Sequence, residues 1–360
     1  MKARFPFLTL SLIGTAVCPV QAGEPVEPAA APISIQSAPS RWRFGAGYAP
    51  LIGLKTEFRG LGTFNNVYLP QPTGGGQDYN YDDGFVNVDS SGNAGDKTWN
   101  WGYENASQLD PANGGSIDFS LTNSLANGRA GDNNETASGV ELFTYYDMGA
   151  VAIGGLKERG ATWGFRGGLH YARVDVGNSE ATTTDLTKLT DRFTLDGVIA
   201  PLAPYTGTFG GPGPLINDSP TRTITAGGQA LVTGTRDLDV HLATFNFGSY
   251  LEIPVTRKID FMVEAGVSAA IASGSYHYQS ETAVTGLGTQ GSTGSDSETS
   301  VLPGVYVGVG GSYQLNESWA IQAAGRYQYM DQFDLGDGAS EAVLSFDSAF
   351  ILSLGAVYSF

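Results

Sequence analysis

Apolar and polar residues alternate along much of this chain, most clearly at its end. In the last twelve residues, AFILSLGAVYSF, one face carries Phe350, Leu352, Leu354, Ala356, Tyr358 and Phe360. A period of two is the period of a β-strand, because successive side chains point to opposite sides of the sheet. The end of a water-soluble domain is usually polar and frayed, so this apolar strand requires something that buries it.

The same alternation predicts eight strands. They are expected at 41–49, within 139–153, and at 162–172, 241–253, 259–272, 304–313, 319–330 and 346–360. In the second of them we expect Val140, Leu142, Tyr146 and Met148 to face outward. The pattern indicates an all-β, antiparallel, up-and-down architecture.

Short and long links alternate between these predicted strands. The short links are 154–160, 255–258 and 315–318, and the long ones are about 50–137, 177–240, 277–300 and 331–344. A soluble up-and-down barrel has no reason to separate its links in this way. Short turns on the periplasmic side and long loops outside are typical of a transmembrane β-barrel.

The spacing of aromatic residues near the strand ends gives an estimate of the height of the apolar band. On single faces, Trp319 and Tyr329 lie ten residues apart, Trp163 and Tyr171 eight, and Phe346 and Tyr358 twelve. At ~3.3 Å per residue and ~45° of tilt, ten residues rise roughly 23 Å. This matches an apolar band of about 25 Å between two aromatic girdles.

The ending is similar to the carboxy-terminal signature of bacterial outer-membrane barrels. The matching residues are Phe360, Tyr358, Ala356, Leu354 and Leu352, and in that family the barrel-assembly machinery reads them. The chain most resembles the small eight-stranded class that includes the membrane domain of outer-membrane protein A, although its first two external loops are larger. A further hairpin of LIGLKTEF (51–58) and SIDFSLT (116–122) would make ten strands; the alternative is that they extend strands above the membrane.

The first residues have the pattern of a secretory signal. Lys2 and Arg4 precede an apolar stretch and a small-residue cleavage pattern, so we expect a signal peptide at 1–22. A Pro/Ala-rich periplasmic linker is expected at 23–40 and the barrel with its loops at 41–360. Localisation in the outer membrane follows from this organisation.

Charge excludes one class of partner. The chain has a formal net charge of −17, and −19 without Lys2 and Arg4. Nucleic-acid binding requires clustered Lys and Arg, so no nucleic acid is expected; the expected partners are the lipid bilayer and, facing the loops, lipopolysaccharide or a polysaccharide.

Strand parity directs several charges into the barrel. The inward positions include Arg43, Arg166, Arg326, Glu252, Glu264 and Asp347. Eight strands leave an interior that side chains fill, and charges there must be paired. We therefore expect an ion-pair network that closes the lumen; a narrow pore for ions or small solutes is the alternative.

The external loops offer two candidate binding features. Trp99, Trp101 and Tyr103 alternate in an acidic, aromatic segment. With Asp82, Asp83 and Asn100 they form a candidate carbohydrate platform; the alternative is that their rings are the small core of a folded loop. The run 89–96 carries oxygen ligands and glycines like a calcium loop but lacks EF-hand spacing.

Catalytic motifs are sparse, so no enzyme is expected. No nucleotide loop, zinc motif or paired carboxylates are found, and no cofactor is expected. A lipid-modifying enzyme remains the second alternative, with His241, His277 and Ser275 near the outer rim and His170 facing inward. The expected role is structural or surface recognition.

This interpretation predicts the behaviour of the mature polypeptide without lipid. Refolded in the absence of lipid and detergent, it should aggregate, because its aromatic and aliphatic faces have no apolar solvent. Size-exclusion chromatography tests this. A soluble monomer with those rings in its interior would contradict a membrane barrel.

Overall fold

The computed structural model describes residues 41–65, 67–72, 76–112 and 115–360, with side chains except those of 132–134. The expected signal peptide (1–22) and linker (23–40) lie outside the described residues. No helix in the described part is long and apolar enough to cross a membrane. The two helices found there are short, a 3₁₀ turn at Ala106–Gln108 and α1 at Gly154–Glu158.

Twenty strands occupy most of the described chain. In chain order they are β1 Trp42–Tyr48, β2 Leu51–Leu61, β3 Tyr79–Tyr81, β4 Gly84–Val86, β5 Lys97–Thr98, β6 Trp101–Tyr103, β7 Leu109–Asp110, β8 Ser116–Ser124, β9 Gly128–Ala150, β10 Thr162–Asn178, β11 Thr182–Thr194, β12 Tyr205–Thr206, β13 Ile216–Asn217, β14 Thr221–Pro254, β15 Ile259–Val284, β16 Gly288–Gln314, β17 Trp319–Met330, β18 Phe333–Gly336, β19 Glu341–Ser345 and β20 Ala349–Ser359. Every pairing among them is antiparallel, which confirms the all-β antiparallel class.

Eight of these strands pair in a closed ring. The order is β1, β9, β10, β14, β15, β16, β17 and β20, and β20 pairs back with β1. Closure leaves these strands without a raw edge over their paired lengths. The other twelve described strands extend the sheet beyond the ring or form small separate sheets, so the ring is one part of a larger β-structure.

The two faces of the ring follow the alternation in the sequence. Outward positions are apolar and exposed, as at Leu354 (60%) and Val307 (56%), whereas the inward Arg166 is 1% exposed. Val140, Leu142 and Met148 are exposed as predicted for the second strand. Phe346 was expected on the outer face and is instead completely buried inside.

The strands extend much further than the sequence analysis indicated. The expected loop at 277–300 is the end of a hairpin in which β15 and β16 stay paired up to Val284 and Gly288. The expected long loop at 177–240 contains β11 and the first twenty residues of β14. The expected loop at 331–344 contains β18 and all but the last residue of β19. Polar residues continue these strands, so hydrophobic alternation did not mark them. The short links at 154–160, 255–258 and 315–318 lie between ring strands as predicted.

The segments considered for a ninth and tenth strand do not pair with each other. β2, which contains 51–58, lies beyond β1 and pairs with β9, β19 and β20. β8, which contains 116–122, pairs with β7 and β11. Neither strand enters the ring, so no ten-stranded ring forms.

A folded assembly stands on the long-link end of the ring and is called here the external domain. It consists of β8 and β11 beside the extended β14, a four-stranded sheet of β12, β6, β4 and β3, and the pair β13–β5. Its core is a cluster of buried aromatic and aliphatic residues, among them Tyr79, Trp101, Phe119 and Phe193.

Candidate functional site

Two arginines and two glutamates meet inside the ring and form what we call the charge quartet. Glu141 of β9 accepts hydrogen bonds from Arg326 and Arg166, with Arg326 Nη1 2.5 Å from Glu141 Oε1. Glu264 Oε1 lies 2.9 Å from Arg326 Nε, and its Oε2 lies 3.3 Å from Arg166 Nε. These two contacts are ion pairs without hydrogen-bond geometry. All four side chains are almost fully buried, so their charges must balance, and they do.

Glycines on the neighbouring strands make room for the quartet. Gly308 lies opposite both Glu264 and Arg326 in the β-ladders. A Cβ at Gly308 would meet Arg326 Cγ at 2.5 Å and Glu264 Cγ at 3.0 Å. The abundance of glycine on inward positions therefore has a steric cause, since long charged side chains take the space that other side chains would fill.

Strand parity predicts three of the four quartet residues. Arg166, Arg326 and Glu264 come together as inward parity indicated, whereas Glu141 was missed. The sequence does indicate that Glu141 faces inward, because its neighbours Val140 and Leu142 face outward. Aromatic residues on both faces of this strand made the alternation difficult to recognise.

A second ion pair lies near the short-link end of the ring. Arg43 donates to both Glu252 oxygens, at 3.1 and 2.5 Å, and to the Tyr250 hydroxyl at 3.2 Å. A cavity of about 20 Å³ beside this pair is lined by Tyr145, Gln322 and others, which is room for roughly one water molecule.

Asp347 does not belong to the interior network. It lies exposed in the turn before β20, and its backbone carbonyl accepts a hydrogen bond from the Tyr327 hydroxyl at 2.5 Å. The predicted last strand reaches back to Phe346, but β20 begins at Ala349. Strand parity does not continue through a turn, so the inward assignment of Asp347 is wrong.

Apolar clusters close the interior on both sides of the quartet. Towards the short links lies a cluster of Phe143, Tyr145, Tyr250, Met262, Ala320 and Val357. Towards the external domain lies a larger one that includes Phe58, Val240, Tyr276, Leu302 and Phe333. The imidazole of the buried His170 contacts the Ala49 carbonyl oxygen at 2.7 Å. The arrangement is a filled interior.

The proposed carbohydrate platform is not available in the external domain. Trp101 and Tyr103 are buried in the aromatic core, where their polar atoms donate to the carbonyl oxygens of Pro214 and Pro201. Trp99 is partly exposed, and its Nε1 donates to Phe209 O at 3.2 Å. The burial arises from pairing of 97–103 with strands at 205–217, which local sequence does not reveal. The rings of Trp101 and Tyr103 therefore belong to the core of a folded loop.

The acidic side chains of this segment accept hydrogen bonds from backbone N–H groups. Asp82 accepts from the Thr122 N–H at 2.7 Å and Asp83 from the Ser120 N–H at 2.8 Å, which fixes the segment to β8. Asn100 donates to Val88 O at 2.8 Å. These groups are therefore engaged and do not form a set for binding sugar hydroxyls.

The candidate calcium loop is closed by hydrogen bonds. The Asp89 carboxylate accepts from Ser91 Oγ at 2.5 Å and from the N–H groups of Ser91 and Trp99 at 2.8 and 3.1 Å. Burial opposes ionisation, but these bonds outweigh it and hold the pKa of Asp89 below its ordinary value. The described residues contain no cluster of three potential metal ligands. The oxygen atoms that make this sequence resemble a cation site instead accept hydrogen bonds from groups of the protein itself.

The histidines considered for catalysis do not form a catalytic set. The Tyr171 hydroxyl lies 2.7 Å from His241 Nδ1, on the outer face, and Asp239 Oδ1 lies 3.8 Å from His241 Nε2. No hydrogen bond joins Ser275 to His277 in the described part of the chain. Ser273 lies opposite His241 in the β14–β15 ladder, but among the described residues its Oγ accepts a hydrogen bond from Thr299 Oγ1 at 2.9 Å and makes none with His241. A nucleophile–base set requires that hydrogen bond.

Comparison with known proteins gives weak likeness only. No family model and no curated protein matches the chain. Among solved structures, Ail, the attachment invasion locus protein of Yersinia pestis, is 10% identical, with 89% of this chain and 97% of that chain covered and a TM-score of 0.25. The outer membrane protease OmpT of Escherichia coli is 10% identical, with 91% and 99% covered and a TM-score of 0.34. A FadL homologue of Pseudomonas aeruginosa is 9% identical, with 88% and 90% covered and a TM-score of 0.18. At TM-scores this low, neither fold nor function is inferred from them.

The burial of the quartet predicts that a small change of side chain at Glu141 lowers stability strongly. Glu141→Gln leaves Arg166 and Arg326 buried without their shared carboxylate, so we expect a loss of about 3–5 kcal/mol in the free energy of unfolding. Urea unfolding in lipid vesicles, followed by tryptophan fluorescence, measures it.

Glu57→Gln is the matched control. Glu57 also binds two arginines, Arg59 and Arg129, but all three side chains are at least one third exposed. A change below about 1 kcal/mol is expected there. Equal effects of the two substitutions would contradict the structural role of the quartet.

Proposed function

We propose that this protein is an integral outer-membrane barrel whose eight ring strands cross the bilayer and whose external domain is exposed outside the cell. Its role in this proposal is structural or one of surface recognition, not transport or catalysis. The proposal includes the small eight-stranded class of barrels and export by a signal peptide.

The outer face of the ring supports a membrane setting. Large apolar side chains are exposed on all eight ring strands, for example Phe247 on β14 and Val305 on β16. A contiguous band of this kind on a protein in water would be an aggregation hazard. In a bilayer the hydrocarbon covers it, and the closed ring satisfies the backbone hydrogen bonds that lipid cannot.

The last strand supports assembly as a barrel. β20 pairs with both β1 and β17, and the ring of Phe360 packs edge-on against Phe44, with centroids 5.8 Å apart. The carboxy-terminal signature described above adds recognition by the barrel-assembly machinery to the proposal.

One observation carries the functional conclusion: the charge quartet lies between two apolar clusters inside the ring. Opening a path would separate these buried charges from the opposite charges that neutralise them, which is costly. The porin alternative therefore requires an interior different from this one.

The external domain is the part that this proposal assigns to recognition. Its core is internally packed, and its surface carries exposed apolar side chains such as Ile199, Leu202 and Tyr68. Lipopolysaccharide or a polysaccharide remains a proposed partner, through surface groups other than Trp101 and Tyr103.

A conductance measurement distinguishes a filled interior from a pore. The mature protein, folded in detergent and added to a planar lipid bilayer, should show no channel steps above the baseline. Arg326→Gly together with Glu141→Gly, which removes one arginine and one glutamate of the quartet while keeping the net charge, should show more current. Stepwise conductance of the natural sequence would favour the porin alternative and contradict the filled interior.

A further inference from the structure

Strand β16 has an unpaired edge above the ring. β15 covers one side of β16 along its whole length, from Gly288 to Tyr313. β17 pairs with the other side only from Gly304 onward. Between 292 and 302, no described strand pairs with that side. Such an edge is a template for another strand.

The backbone groups that face this open side can be assigned. Gln314 N donates to Lys258 O on the β15 side, whereas Leu315 N donates to Trp319 O on the β17 side. Pro303 O accepts from Asp331 N on the β17 side. Since directions alternate along a strand and the pairing with β15 has no register shift, the odd-numbered residues point to the open edge. Within the open stretch they include Ser295, Ser297, Thr299 and Val301.

An acidic groove lies beside the edge. It has a volume of about 400 Å³ and is lined by Glu298, Asp334 and Glu341 among others. Asp296 Oδ2 accepts from Gly336 N at 2.9 Å, so β18 packs on the inner face of β16 and leaves its edge uncovered. Arg59 is near the groove, but both its Nε and its Nη2 bind Glu57.

We propose that this edge binds an extended, basic polypeptide segment by strand addition. The segment's backbone would pair with Ser295 to Val301, and alternate Lys or Arg side chains would enter the acidic groove. Backbone bonds give affinity in this mode and side-chain pockets give specificity. The proposal deepens the recognition role proposed above and rests on it, because the edge must lie outside the bilayer.

Charge disfavours a second copy of the chain at this edge. Antiparallel self-pairing would bring Asp296 and Glu298 of both copies close together. Like charges facing each other across strands are destabilising. The same charges attract a basic segment.

The test uses the full-length mature protein in lipid nanodiscs and a labelled peptide of eleven alternating Lys and Thr residues. Fluorescence anisotropy should report binding that weakens with salt. Ser297→Pro removes one edge N–H without touching the β15 ladder, and Glu298→Lys reverses a groove charge; each should weaken binding at least tenfold.

Two matched variants serve as controls. Ser297→Ala keeps the N–H, and Glu317→Lys makes the same charge change in the short link 315–318; both should bind like the natural sequence. A peptide of alternating Glu and Thr should not bind. Heat-dependent gel mobility reports insertion separately, so a protein that fails to insert contradicts the proposed function rather than this proposal.

Three results would overturn strand addition. One is an inserted protein that does not bind the Lys/Thr peptide, and another is unchanged affinity in both Ser297→Pro and Glu298→Lys. The third is a dimer of the natural sequence that Ser297→Pro converts to a monomer, which would assign the edge to a second copy.

Discussion

The antiparallel pairing of β20 with β1 is the contact on which the rest of this structure depends. It turns an eight-strand sheet into a ring. Without it, the apolar strand β20 would present unpaired N–H and C=O groups along one edge. A bilayer offers no hydrogen-bond partners for such groups, and in water they are a template for aggregation. Closure also creates an interior, and the interior then sets the requirements on every inward residue.

Those requirements explain the unusual combination of glycine and charge inside the ring. Arg166 and Arg326 fit only because positions such as Gly308 carry no side chain, and they are stable only because Glu141 and Glu264 cancel their charge. The apolar cluster above the quartet joins the ring to strands that leave it, including β2 and the β18–β19 hairpin. The interior of the ring and the strands β2, β18 and β19 beyond it therefore share one continuous core.

The sequence predicted those features that follow from local alternation. It identified the ring strands, their outward faces and most of the inward charges. It failed where partners come from far along the chain: Trp101 is buried by a strand at 205–206, and the polar segment 288–302 is a strand because β15 pairs with it. Parity also failed at Asp347, where a turn interrupts the strand.

Spin labels on a single face of β16 test the central claim, that hydrocarbon solvates the outer side of the ring, most directly. The only cysteine, Cys18, lies in the expected signal peptide, so single cysteines can be introduced at Val305, Val309 and Ser297. In lipid vesicles, labels at 305 and 309 should collide with dissolved oxygen and be shielded from a water-soluble nickel complex, and the label at 297 should show the reverse. Equal access of the nickel complex to all three positions would contradict the account.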